Sequence, residues 1–214
     1  MILAEENISY AKYGDREIKL DLYKPKKLRK APVVILLHGG GWMFGTRKVF
    51  QGLAVQLATE GFAVLNMDYR LSTEKKFPAN IEDCKAAIRW ARANAQKYGF
   101  DSNKIYGIGA SAGGHIVAMS SLTKEGIYEG SGGNPDYSSK LNGIVIMGAG
   151  LDQYKRVLAL KNNYNKATEI YLVSFKENEN LYKEASPINH LSKGDVPILI
   201  IDGERKEVPA AQLK

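Results

Sequence analysis

The sequence predicts an α/β fold, with a mostly parallel central sheet behind an N-terminal antiparallel hairpin and helices on both faces. Three observations predict it. Continuous apolar runs of strand length recur at Pro32 to Leu37, Ala63 to Asp68, Lys104 to Ile108, Gly143 to Gly148 and Val196 to Ile201, as in strands buried on both faces. Helical stretches lie between most of them, the alternation that βαβ units produce. Ahead of them, Ile8 to Tyr13 and Glu17 to Tyr23 alternate apolar with polar residues on either side of Gly14-Asp15-Arg16, which is the pattern of a hairpin. With 214 residues, 44% of them hydrophobic, the chain suits one domain over residues 1–214 with a sizeable core.

After the hairpin, Lys24 to Lys30 is a basic stretch containing Pro25 and reads as a solvated loop. The strand at Pro32 to Leu37 then runs directly into His38-Gly39-Gly40-Gly41-Trp42. Consecutive glycines after a buried strand let backbone N–H groups approach a ligand closely, as stabilising a developing oxyanion requires. Beyond the next strand, the clearest helix is expected from about Asn80 to Tyr98. Ile81, Cys84, Ala87, Ile88 and Ala91 share one face, and Gly99 stands just past its end. Lys85, Arg89 and Arg92 set against Glu82 and Asp83 read as its exposed face. Cys84 has no second cysteine to pair with, and its place among helical core positions suits a small buried residue.

Lys104 to Ile108 leads into Gly107-Ile108-Gly109-Ala110-Ser111-Ala112-Gly113-Gly114-His115, a Gly-x-Ser-x-Gly frame between a strand and a helix expected over Ala112 to Leu122. Gly109 and Gly113 allow a turn too sharp for side chains, which leaves the Ser111 hydroxyl exposed at the carboxyl end of the sheet. That placement suits a nucleophile. Its partners as oxyanion donors are the N–H groups of Gly40, Gly41 and Ala112. Gly126 to Ser139, rich in Gly, Ser and Asn, reads as a surface loop at the far end of the Ser111 helix. Leu151 to Ala185 is polar and helical in flavour, with Tyr154, Tyr164, Tyr171, Phe175 and Tyr182 spread through it. It leaves the carboxyl end of a strand, where ligands bind in such sheets.

The formal net charge of +7 is spread among loops and mixed-charge helices, with no stacking motif, zinc-ligand spacing or phosphate-cradling sequence beside it. Nucleic-acid binding is therefore not expected. No run long and apolar enough to span a bilayer occurs, and the first residues carry acids where a secretion signal would be basic, so no membrane partner and a cytoplasmic location are expected.

These motifs together resemble the α/β-hydrolase superfamily, and within it the small carboxylesterases that include acetyl-xylan and feruloyl esterase-like proteins and relatives of the hormone-sensitive lipase group. The resemblance rests on HGGGW at His38 to Trp42, MDYRLS at Met67 to Ser72, FPANIEDCKAAIRW at Phe77 to Trp90, GASAGGH at Gly109 to His115, and ASPINH at Ala185 to His190. It implies a chain order of serine, acid, histidine. The family's acid follows a strand like Val196 to Ile201, in a segment resembling HGxxDxxVP. Here that segment, Asp202 to Pro209, is one residue shorter and has Lys206 where the aspartate is expected, which leaves Glu204 and Glu207 as candidate acids.

No histidine follows them before Lys214. His190 precedes the last strand, and at ~3.3 Å per residue a six-residue strand puts it roughly 20 Å from the Ser111 end of the sheet. His115 lies one helical turn past Ser111, and the resemblance implies that it packs inside; His38 is implied to steady the glycine loop. The family continues with another strand and helix, so the Val196 to Ile201 strand is expected as an open edge suited to pairing with a second copy of the chain.

The resulting expectation is a serine carboxylesterase acting on small or short-acyl esters, with no metal and no organic cofactor. A non-catalytic hydrolase-like binding protein and an amide hydrolase of the arylformamidase kind are the alternatives.

Overall fold

The computed structural model describes residues 1–159 and 166–203. β1 (Ile2–Tyr13) and β2 (Arg16–Pro25) form the antiparallel hairpin, and β2 pairs antiparallel with β4 (Ala63–Met67). From there the sheet is parallel: β4 pairs with β3 (Ala31–Leu37), β3 with β5 (Phe100–Ala110), β5 with β6 (Ile144–Met147), and β6 with β7 (Ile198–Ile201). The seven strands thus lie in the order β1-β2-β4-β3-β5-β6-β7. This is the predicted sheet, with β1 and β5 longer than the runs read from the sequence.

Strand alternation sorts the core into two layers. Val33, Ile35, Leu37, Leu65 and Met67 face one side, beneath α2 (Ala79–Ala93) and α4 (Ala112–Leu122). Val34, Leu36 and Val64 face the other, covered by Ala54 and Ala58 of α1 (Gln51–Thr59). Helices therefore cover both faces. α4 is buried along nearly its whole length, and Gly107 allows it to lie close on β5, since a Cβ there would stand 2.8 Å from Val117 Cγ2.

The helix expected over Asn80 to Tyr98 is instead α2 and a short α3 (Ala95–Tyr98), interrupted at Asn94 and terminated by Gly99 at φ +74°. Its expected core face is buried, Cys84 included, and burial pushes the Cys84 thiol up to about 12. The reading of its charged side as exposed is wrong. Lys85 and Arg89 are only 1% and 3% exposed, and Asp83 is fully buried. The Gly-rich segment read as a plain surface loop lies over this face and brings Glu129 to it. Lys85 Nζ meets Glu129 Oε1 at 3.1 Å and Arg89 Nη1 meets Oε2 at 2.6 Å, while Lys85 also donates to the Ile127 carbonyl at 2.6 Å. Asp83 in turn accepts the Arg70 backbone N–H at 2.7 Å and its Nε at 2.9 Å. A helical charge pattern read alone cannot reveal an acid supplied some forty residues away.

Among the described residues, three short α-helices follow β6: α5 (Gln153–Ala159), α6 (Lys166–Tyr171) and α7 (Glu179–Glu184). Tyr171 and Tyr182 are fully buried packing residues, and Tyr164 lies outside the described residues. Among the described residues, β7 forms one edge of the sheet and exposes Leu199, Ile200 and Ile201. Among the described residues no helix is long and apolar enough to cross a membrane.

Candidate active site

Ser111 stands between β5 and α4, exposed, with φ +51° and ψ −116°. A non-glycine residue in this region costs about 1–3 kcal/mol and persists only where its surroundings enforce it. Here they do so through the main chain. The Ser111 N–H donates to the Met147 carbonyl at 2.8 Å, and the Ser111 carbonyl accepts the His115 N–H at 3.0 Å. The glycines around it are required by space: a Cβ on Gly109 would lie 2.3 Å from the Gly113 carbonyl oxygen, and one on Gly113 would lie 2.4 Å from that of Leu37. No L side chain fits either contact.

The glycine loop interlocks with this bend. A Cβ on Gly39 would lie 3.2 Å from Ser111 Cβ, and one on Gly113 would lie 2.5 Å from the His38 carbonyl oxygen. The next residues turn sharply, with φ +127° at Gly40, +58° at Gly41 and +62° at Trp42. The Gly40 carbonyl accepts the N–H groups of Met43 and Phe44 at 3.1 and 3.2 Å. Among the described residues, no acceptor is bonded to the N–H of Gly40, Gly41 or Ala112. Three main-chain donors are thus available on the two segments that meet at Ser111.

His38 is placed to hold this loop. Its ring stacks on Tyr69, centroids 4.4 Å apart, and Nδ1 is 2.6 Å from the Gly39 carbonyl. A carbonyl can only accept, so Nδ1 carries the proton and polarises the peptide whose other end is the Gly40 N–H. Burial holds the His38 pKa below its usual value of 6.5. The far end of the loop is fixed by Arg47, whose Nε pairs with Asp21 Oδ2 at 2.8 Å. Its guanidinium also pairs with Asp68, and the Arg47 N–H donates to Asp68 Oδ1 at 2.7 Å.

His115 packs inside, as the resemblance implies. It is fully buried, edge-on to Trp42 and Tyr171, and Nε2 donates to the Ala185 carbonyl at 2.8 Å. Burial lowers its pKa from 6.5 to about 4, so the ring is neutral at physiological pH. His190 Nε2 donates to the Glu184 carbonyl at 2.6 Å. All three histidines therefore bond backbone carbonyls, and none is paired with Ser111. Glu204 and Glu207 lie outside the described residues.

Two arrangements had no signal in composition or periodicity. Tyr171 stacks on Trp42 at 4.5 Å between centroids and 3° between planes, and its hydroxyl donates to Asn80 Oδ1 at 3.0 Å. Arg47 and Asp68 form the brace described above. Each brings together residues distant in the chain.

The chain is similar to known proteins over most of its length. The family model described as BD-FAE matches residues 20–214. "Esterase LipC" of Mycobacterium tuberculosis is 33% identical over 208 residues, which covers 90% of this chain and 49% of LipC. This chain spans about half or less of the length of curated relatives it matches. Among solved structures, a bifunctional GH43-CE from Bacteroides eggerthii superposes with a TM-score of 0.84 at 30% identity, covering 98% of this chain and 32% of that one. Thermogutta terrifontis esterase 2 phosphorylated by paraoxon gives 0.74 at 26% identity, covering 92% and 69%.

Proposed function

Because the chain belongs to the BD-FAE family and has the α/β-hydrolase fold of its esterase neighbours, we propose that it is a serine carboxylester hydrolase acting on small or short-acyl esters. The observation that carries this reading is the exposed Ser111 hydroxyl on an enforced bend, with Gly39 close by and, among the described residues, main-chain donors without an acceptor on either side. Ser111 Oγ attacks the ester carbonyl carbon, and the oxygen of the tetrahedral intermediate is held by the N–H groups of Gly40, Gly41 and Ala112. Collapse expels the alcohol and leaves an acyl-enzyme, which water then hydrolyses.

The proton leaving Oγ needs a base. His38, His115 and His190 each hold a carbonyl, so none is assigned that role; Glu204 and Glu207 stay the candidate acids of the pattern. Where a serine hydrolase loses its histidine, turnover falls by about 10⁶, while the donor cradle and substrate binding retain on the order of 10³ to 10⁴ over water. The engagement of all three histidines favours, as a second reading, a protein that binds ester-like ligands without turning them over. Paraoxon separates the two. Phosphorylation of Ser111, seen by intact mass and lost in Ser111→Ala, together with p-nitrophenyl acetate turnover that also disappears in the variant, is expected of the hydrolase. Equal turnover by both proteins would remove it.

We further propose that the exposed apolar edge of β7 pairs with a second copy of the chain; a monomeric mass by sedimentation at high protein concentration would refute this.

A further inference from the structure

Ala167, in α6, borders the donor loop. A Cβ added to Gly41 would lie 3.4 Å from Ala167 Cβ, so the methyl group stands across the space beside the residue that carries one of the assigned oxyanion donors. α6 is fixed at that position by its last residue. Tyr171 stacks on Trp42, its hydroxyl is bonded to Asn80, and its carbonyl accepts the Phe77 N–H at 3.1 Å. Since Trp42 follows Gly41 directly, this stacking ties the helix to the donor loop. Thr168 and Tyr171 are buried, whereas Ala167 is partly exposed.

We propose that Ala167 is a specificity-determining residue, its side chain limiting the size of the substituent that a bound ester turns toward α6. The proposal rests on the ester-hydrolase reading and extends it to the origin of a small-substrate preference. An oxyanion seated on the Gly41 N–H brings the carbonyl carbon, with its acyl and alkoxy substituents, within a few bonds of position 167. Enlarging that side chain removes volume where a substituent lies; shrinking it adds volume.

The test uses the full chain with Ala167→Leu, Ala167→Gly and the volume-conserving Ala167→Ser. Two ester series are followed, p-nitrophenyl acetate against butyrate and methyl against butyl acetate. In at least one series the leucine variant is expected to lower kcat/KM for the larger ester by about tenfold more than for the smaller one, the scale on which pockets discriminate single methylenes. The glycine variant shifts the ratio the opposite way, and the serine variant keeps it within about twofold of the parent. Ratios unchanged in both series for the leucine and glycine variants would overturn the proposal.

A parallel measurement does not need turnover. In a Ser111→Ala background, Ala167→Leu is expected to weaken equilibrium binding of ethyl butyrate or butyl acetate, read by ligand-observed NMR, while ethyl acetate binding is unchanged. Equal weakening of all three overturns the proposal. An inert Ser111 protein that nonetheless shows the binding difference would refute hydrolysis and leave the role of Ala167 standing.

Discussion

Two regions of this molecule bring main chain close to a helix, and they do it by opposite means. At Ser111 the approach is made by omission. Gly109 and Gly113 have no room for a Cβ and Gly39 has little, so main chain lies close to main chain. At the outer face of α2 the approach is made by buried charge, with Lys85 and Arg89 on the helix clasping Glu129 of the overlying loop. The difference teaches how each region tolerates change. A contact between backbones has no adjustable part, whereas an ion pair can be replaced by an apolar pair of similar volume with little loss.

The largest effect should therefore come from filling the first region. Gly113→Ala puts a methyl group 2.4 Å from the Leu37 carbonyl oxygen; it is expected to cost about 3 kcal/mol or more, and to abolish paraoxon labelling of Ser111 in whatever protein remains folded. Normal labelling at parental stability would show that the interlock is not rigid.

Next comes a test of the buried histidine beside that interlock. His115 is held neutral with its pKa lowered from 6.5 to about 4, so the unfolded chain binds more protons than the folded one between those values. Stability from this group is present above about pH 6.5 and is lost as pH falls toward 4, by about 3 kcal/mol in all. His115→Gln, which keeps a donor for the Ala185 carbonyl, should flatten the dependence of unfolding free energy on pH over that window. An unchanged slope would assign the acid sensitivity to other groups.

The charged region should respond less. Glu129→Gln leaves two buried cations without their counter-charge and is expected to cost about 2 kcal/mol, below the usual range for breaking a buried pair because the carboxylate is partly exposed. Paraoxon labelling should be retained. Chemical denaturation and labelling measured on the same protein check both halves; loss of labelling would mean that the two regions are coupled.

The strands, their order of appearance and the serine bend were legible because each depends on local pattern. Apolar runs mark strands buried on both faces, and glycines at fixed offsets from Ser111 have no local alternative explanation when a second glycine run ends a neighbouring strand. The α2 charges were misread for the converse reason: their partner comes from a loop whose path no helical periodicity encodes. Likewise, residues 38, 115 and 190 were visible as histidines, but the carbonyl that each one bonds was not.

What the sequence determined by itself, then, is chain conformation set by steric exclusion over a few residues, including the strained serine and the glycine turn beside it. Only the tertiary structure decided which donors remain free, which histidines are engaged, and that Tyr171 clamps α6 against Trp42. These depend on distances between segments far apart in the chain, and such distances are fixed by packing of the whole sheet and its helices.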